Sequence, residues 1–146
     1  MRILGIDYGR RRLGLALSDE DEILASPLPF LKRCRIDRDL ALLSDLIAEK
    51  NAKRIVLGLP LNMDGSCGEM AKEVLAFAAA LREQTHLPVE TFDERLTSAE
   101  AERVLVQANL SRKRRKGLRD SLAAVLILQG YLQAASHDRE GERTTD

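Results

Sequence analysis

The chain has 146 residues, enough for one domain with a buried core, and its 23 basic and 23 acidic side chains cancel. A neutral total means that any nucleic-acid surface must be local, and 3% aromatic residues with no Trp argue against stacking platforms for single strands. The spacing of Cys34 and Cys67 favours free thiols over a disulfide or zinc site. No signal peptide or membrane-spanning apolar run is seen, which predicts a cytoplasmic protein.

The N-terminal part predicts an antiparallel meander of three strands. The first, residues 3–9, is apolar and contains Asp7 near its end. A short turn through residues 10–12 leads to a second strand at 13–19, so the two strands should pair antiparallel. A third strand at 23–31 contains two prolines, which confine it to an edge of the sheet.

The middle of the chain alternates helix and strand. Apolar residues recur at helical spacing over 39–50, and residues 54–60 form an apolar run typical of a central parallel strand. Residues 66–69 have the spacing of a capping box, which predicts the start of a second helix. A last strand follows at 88–92.

The C-terminal part predicts two further helices. A second capping box at 97–100 starts the first, and the last runs over 118–135 and is apolar nearly all round, so it should pack on the sheet. Residues 136–146 are polar and predicted to be a disordered tail. The prediction is one α/β domain, residues 1–135, with a mixed sheet.

Acidic side chains are predicted to meet at one edge of this sheet. If the first strand is central and the last is parallel to it, Asp7 and either Asp93 or Glu94 lie at the same rim. Strand neighbours point to opposite faces, so one member of the pair should face Asp7, and the sequence does not say which. Asp120, in the first turn of the last helix, is the third candidate. Taken singly, each acid is better explained as a turn or helix-start residue.

Such a cluster needs a cation. Two unit charges ~4 Å apart at an effective dielectric of ~20 repel by roughly 4 kcal/mol, so clustered carboxylates either bind a cation or take up protons. Oxygen ligands without His or Cys suit Mg²⁺ or Mn²⁺. A metal pair of this kind can activate water and stabilise the leaving oxygen of a phosphodiester.

A basic segment immediately precedes the last helix and would flank the acidic site. Its members are Arg112, Lys113, Arg114, Arg115 and Lys116. Basic runs are usually solvated loops, but a substrate rich in phosphates explains this neighbourhood. The turn residues Arg10, Arg11 and Arg12 are a second candidate contact.

Four motifs in order resemble the YqgF family, also called RuvX, of RuvC-like Holliday junction resolvases, over nearly the whole chain to about Gln133. They are Gly5-Ile6-Asp7-Tyr8-Gly9, Gly58-Leu59-Pro60-Leu61-Asn62-Met63-Asp64-Gly65, Asp93-Glu94-Arg95-Leu96-Thr97-Ser98 and Asp120-Ser121-Leu122-Ala123-Ala124. The resemblance implies an RNase H-like fold with the first strand central. It also implies a cytoplasmic nuclease that processes the 5′ end of the 16S ribosomal RNA precursor.

The resemblance also assigns roles to residues. It implies that Asp7, Glu94 and Asp120 are the metal-binding catalytic acids, with Asp93 the less favoured member of its pair. Arg95 lies in a family motif and is a candidate contact to nucleic acid. The resolvases of the wider superfamily carry four acids, and a fourth is not evident in this sequence.

Other functions stay open at this point. A resolvase of branched DNA would use the same chemistry on another substrate. A non-catalytic adaptor in ribosome assembly would bind RNA without cutting it. The first motif also resembles the phosphate loop of actin-like and sugar-kinase ATPases, which close two such domains around ATP, whereas this chain supplies one. The sequence leaves open whether the protein is a monomer or a homodimer.

Overall fold

The computed structural model describes residues 1–97, 103 and 121–144. Five strands form one sheet in the order β3-β2-β1-β4-β5. The strands are β1 (Arg2–Asp7), β2 (Arg12–Ser18), β3 (Ala25–Lys32), β4 (Ala52–Leu59) and β5 (Val89–Asp93). The helices are α1 (Ile36–Lys50), α2 (Glu69–Thr85) and α3 (Leu122–Thr144), and a 3₁₀ turn (Glu94–Leu96) follows β5.

The predicted mixed sheet is confirmed. β1 pairs antiparallel with β2 and parallel with β4, and β5 continues the parallel half beside β4. Residues 3–6 of β1 are buried, as expected of a central strand covered on both faces. β3 lies at the edge, where Pro27 and Pro29 leave no ladder donor missing inside the sheet.

Helices cover both faces of the sheet, and alternate strand residues serve the two faces. Leu4 and Ile6 of β1 belong to the core formed with α1 and α2. Ile3 of β1 and Val56 of β4 belong to a second core, formed with α3. α3 contacts β1, β2 and β3, as its apolar sequence predicts. Within residues 1–97 and 121–144, no helix combines the length and apolar character needed to cross a membrane.

Two helix starts differ from the predictions. α1 begins at Ile36 rather than at residue 39, and the carboxylate of Asp39 in its first turn accepts a hydrogen bond from the Cys34 amide at 3.0 Å. The capping box predicted for α2 is wrong. The Ser66 amide and hydroxyl instead donate to the carboxylate of Asp64, at 2.9 and 2.6 Å, and form a local turn.

The last helix extends further than predicted. α3 continues to Thr144 instead of ending at residue 135. A disordered tail over residues 136–146 stays a prediction. The boundary of the domain at residue 135 stays a prediction. The helix predicted from residue 97 onward falls mostly outside the described residues.

Candidate active site

Asp7 is the last residue of β1, at the centre of the sheet, and it pairs with Gly14 of β2. Strand alternation places Asp7 on the same face as Ile3 and Gly5, which is the face covered by α3. The side chain is half-buried, and burial raises the pKa of its carboxyl above the ordinary value. Burial therefore disfavours the charged form of this acid unless a cation accompanies it.

Glu94 lies close to Asp7, on the other side of a glycine. A Cβ atom added to Gly58 of β4 would lie 2.6 Å from Oε1 of Glu94, so this carboxylate occupies the space over Gly58. Gly58 follows Leu57, the β4 partner of Ile6, and Asp7 follows Ile6, so Gly58 and Asp7 are neighbours across the two strands. Burial, then the charge of Asp7, raises the pKa of Glu94. The two acids therefore share one desolvated site.

Asp93 is oriented differently from Glu94. It accepts the Arg95 amide at 2.9 Å as the cap of the 3₁₀ turn, and its carboxylate pairs with the Arg95 guanidinium at 2.7 Å. The hydrogen bonds and charge of Arg95 lower the pKa of Asp93. Since β5 ends at Asp93, strand alternation no longer applies to the next residue, and it is Glu94 that approaches Asp7.

Arg95 connects the 3₁₀ turn to the loop before α2. Besides pairing with Asp93, its guanidinium donates to the Met63 carbonyl at 3.2 Å. The loop is closed by two backbone hydrogen bonds, from Asn62 to Ser66 and from Gly65 to Asn62. Arg95 is exposed, but these contacts give it a role in holding the loop beside Glu94.

The three arginines of the β1–β2 turn differ in their contacts. Arg10 forms a two-pronged ion pair with Glu73 of α2, with Nη2 2.6 Å and Nε 3.1 Å from the same carboxylate oxygen. The guanidinium of Arg12 lies 5.3 Å from the ring centre of Phe30. Arg11 is exposed, and its carbonyl accepts a hydrogen bond from the Arg33 amide at 2.9 Å.

Some predicted site residues lie outside the described part of the chain. They are Asp120, Arg112, Lys113, Arg114, Arg115 and Lys116. Ser121, the first described residue before α3, is buried; its hydroxyl accepts from the Leu15 amide at 3.3 Å and donates to the Leu28 carbonyl at 2.6 Å. Among the described residues, no group of three or more His, Cys, Asp or Glu side chains could hold a metal ion.

The chemistry of the two described acids fits a hard divalent cation. No side chain in the described ranges donates a hydrogen bond to Asp7 or Glu94, and both carboxylates are partly desolvated. The charge of Asp7 further disfavours the charged form of Glu94, and a cation would offset both this repulsion and the cost of burial. Two carboxylates without His or Cys match Mg²⁺ or Mn²⁺ rather than zinc.

The sequence analysis does not identify two contributors to this site. Gly58 allows Glu94 to approach the sheet, and its signal is a glycine inside an otherwise apolar strand. Glu73 neutralises Arg10 although the two residues are far apart in the sequence, and no local sequence pattern predicts such an ion pair. Gly58 could therefore have been found from the sequence, whereas Glu73 could not.

Two known proteins are similar to this chain over nearly its whole length. A protein of Syntrophomonas wolfei named "Putative pre-16S rRNA nuclease" is 50% identical over 136 residues, covering 93% of this chain and 96% of the relative. A protein of Desulforudis audaxviator with the same name is 43% identical over 139 residues, covering 95% and 99%.

A solved structure shares the fold. Thermus thermophilus RuvC, determined in complex with a Holliday junction substrate, superimposes with a TM-score of 0.61 at 19% identity, covering 92% of this chain and 96% of RuvC. This likeness assigns the mixed sheet to the RNase H-like class. The family model described as "RuvX: Holliday junction resolvase" matches residues 1–134, and the chain belongs to this family.

Proposed function

We propose that this protein is a divalent-metal-dependent endonuclease that cleaves phosphodiester bonds at the 5′ end of the 16S ribosomal RNA precursor. The observation that carries the proposal is the approach of Glu94 to Asp7 over Gly58. The names of the 50% and 43% identical relatives support the precursor RNA as the substrate. Such a substrate is met in the cytoplasm, where ribosomes are assembled.

Asp7 and Glu94 would hold the metal ion, together with Asp120, the residue before Ser121 in the sequence. A bound Mg²⁺ or Mn²⁺ would polarise the phosphodiester and lower the pKa of a water molecule bound to it. Burial raises the pKa of both described carboxyl groups, so a bound cation would stabilise their charged forms at this half-buried site. Asp93 is proposed to act through Arg95 and the turn instead of as a ligand.

The arginines of the β1–β2 turn and the basic segment 112–116 would contact RNA phosphates. Arg10, Arg11 and Arg12 follow Asp7 closely in the chain, so phosphates bound there would lie next to the acids. Such contacts make binding salt-dependent. Arg95 would serve by holding the 62–66 loop near the same site.

Charge-neutral variants of the two acids test the proposal. Asp7→Asn and Glu94→Gln should lower cleavage of a precursor transcript on the order of a thousandfold in Mg²⁺ or Mn²⁺, since several kcal/mol of transition-state stabilisation are lost. RNA binding should remain. Asp45→Asn and Glu49→Gln make the same charge changes on exposed positions of α1 and should cleave as the wild type does. Equal cleavage by Asp7→Asn would overturn the assignment.

A branched DNA substrate is the second candidate, favoured by the description of the family and by the RuvC-like fold. Competition between a four-way DNA junction and precursor RNA, at one stated salt concentration, separates the two. Preferred cleavage of the junction would replace RNA by DNA as the substrate. RNA binding without cleavage under any divalent ion, with or without ribosome-assembly factors, would indicate an adaptor.

A further inference from the structure

A mostly buried arginine links the site to the opposite face of the sheet. The Arg33 side chain is 13% exposed, and its Nε donates to the carboxylate of Asp39 at 3.2 Å, a side chain that is fully buried in the first turn of α1. The other Asp39 oxygen accepts the Cys34 amide. A buried carboxylate with both oxygens used in this way gives Arg33 one well-defined position.

The rest of the Arg33 guanidinium is directed at the segment that follows Asp7. Nη1 donates to the Gly9 carbonyl at 3.1 Å. The guanidinium carbon lies 4.8 Å from the ring centre of Tyr8 and 5.3 Å from that of Phe77 on α2. Both residues directly after Asp7 are therefore held by one side chain, which is itself fixed by α1 and α2.

The backbone after Asp7 needs this support. β1 ends at Asp7, so the sheet ladder no longer restrains the next residues. Gly9 turns so tightly that an added Cβ would lie 2.5 Å from the Arg12 carbonyl oxygen. In the described chain the Asp7 carboxylate has no hydrogen-bond donor of its own, so its position depends on the backbone from which it extends.

We propose that Arg33 is a positioning residue: by binding the Gly9 carbonyl and stacking on Tyr8, it fixes the backbone that carries Asp7. The proposal rests on the proposed function, in which Asp7 holds the metal ion. Arg33 acts by restraining the backbone of the residues that follow Asp7. Its buried position and its ion pair with Asp39 leave it no role as a phosphate contact.

The test replaces Arg33 by Lys, which keeps a charge beside Asp39 but cannot also reach Gly9 in the same planar geometry. Arg54 is the matched control, because its Nη1 donates to the Tyr131 hydroxyl and pairs with Glu90, again joining a tyrosine and an acid. Arg33→Lys should lower kcat about ten- to hundredfold and weaken Mn²⁺ binding about tenfold, with KM for RNA unchanged. Arg54→Lys should stay within about twofold of wild type on both measures.

Two further measurements keep the test decisive. If Arg33→Lys fails to fold, the double variant Arg33→Met with Asp39→Asn removes both buried charges and should show the same loss of kcat. ¹⁵N relaxation should show the amides of Tyr8, Gly9 and Arg10 becoming mobile in Arg33→Lys, with order parameters falling from about 0.85. Arg54→Lys should leave these amides unchanged.

The outcomes separate the two proposals. A raised KM with unchanged kcat would make Arg33 an RNA contact, and unchanged kcat, Mn²⁺ affinity and amide order would remove any role; either result overturns the positioning proposal. Wild-type protein that neither cleaves RNA nor binds Mn²⁺ overturns the proposed function. In that event the amide order at Gly9 decides by itself whether Arg33 fixes the loop.

Discussion

The two faces of the sheet are built from alternate residues of the same strands, yet they are packed differently. On the α1–α2 face, β1 and β4 present large apolar side chains: Leu4, Ile6, Ile55 and Leu57, all almost fully buried. On the α3 face the same two strands first present the buried Ile3 and Val56, and then, toward their carboxyl ends, Gly5, Asp7 and Gly58. A period of two therefore lets one strand stabilise the core with one face and carry acids with the other.

The glycines bring α3 unusually close to the sheet. A Cβ at Gly5 would lie 2.8 Å from the Leu128 Cβ, and one at Gly130 would lie 3.0 Å from the Phe92 ring. Ser121 completes this contact, since its hydroxyl bridges the Leu15 amide and the Leu28 carbonyl beside the register shift between β2 and β3. Near the carboxyl ends of β1 and β4, the α3 face thus has glycines and an acid where the other face has large apolar side chains.

If the two faces divide their roles in this way, removing volume from the α1–α2 face should affect stability and spare the chemistry. Leu57→Ala should lower the free energy of unfolding by about 2–5 kcal/mol, because it opens a cavity in a well-packed core. The exposed Leu42 of α1 is the control, and Leu42→Ala should cost less than about 0.5 kcal/mol. Chemical denaturation measures both. If Leu57→Ala lost cleavage while it was fully folded, the two faces would not divide stability and chemistry in this way.

On the α3 face, the neighbouring position should behave in the opposite way. In Gly58→Ala the new Cβ would meet Oε1 of Glu94 at 2.6 Å, the end of a flexible side chain that can move aside, and Cδ1 of the buried Ile127 at 2.5 Å, which must repack. Stability should fall by about 1–3 kcal/mol at most. Displacement of the acid should lower cleavage about a hundredfold.

Gly68→Ala is the control for Gly58→Ala, since its Cβ would meet Asn62 atoms at an ordinary 3.5 Å. It should leave cleavage nearly unchanged. If Gly58→Ala cleaves as well as Gly68→Ala does, then Glu94 does not need the space over Gly58.

In the metal-free protein, the charges of Asp7 and Asp93 should have opposite effects on how the free energy of unfolding depends on pH. Burial raises the pKa of Asp7, so its charge destabilises the metal-free fold above that pKa, and the cost disappears as pH falls below the ordinary carboxyl pKa. Asp7→Asn should therefore be more stable than wild type at pH 7 and equal to it at low pH. Arg95 lowers the pKa of Asp93, so Asp93→Asn should be less stable at pH 7, with the difference also lost in acid. Guanidinium denaturation at both pH values measures each sign.

The sequence predicts the sheet well because strand order and direction follow from apolar runs, turn lengths and prolines. It leaves Asp93 and Glu94 undecided because the choice depends on where β5 ends, and a one-residue change reverses which side chain faces the site. The Arg33 network joins segments from three elements around one guanidinium, a contact that no spacing in the chain reveals. Local sequence patterns thus predict the strands and helices, whereas the geometry of the site depends on the residue at which each of them ends.

The smallest expected effect concerns Glu73, the α2 residue that reaches back to the site edge and neutralises Arg10. Glu73→Gln should free Arg10 to bind a phosphate and tighten RNA binding about two- to fivefold. The effect should be small because the exposed Arg10–Glu73 ion pair is weak, so a phosphate can already replace Glu73 in the wild type. The slope of log affinity against log salt should steepen by about 0.7–0.9 if one more phosphate is contacted. Glu83→Gln removes the same charge from an exposed position on α2 and should leave that slope unchanged. Equal slopes for the two variants would mean that Arg10 stabilises the contact with α2 and does not bind RNA. The β1–β2 turn would then contribute to stability, as the α1–α2 face does.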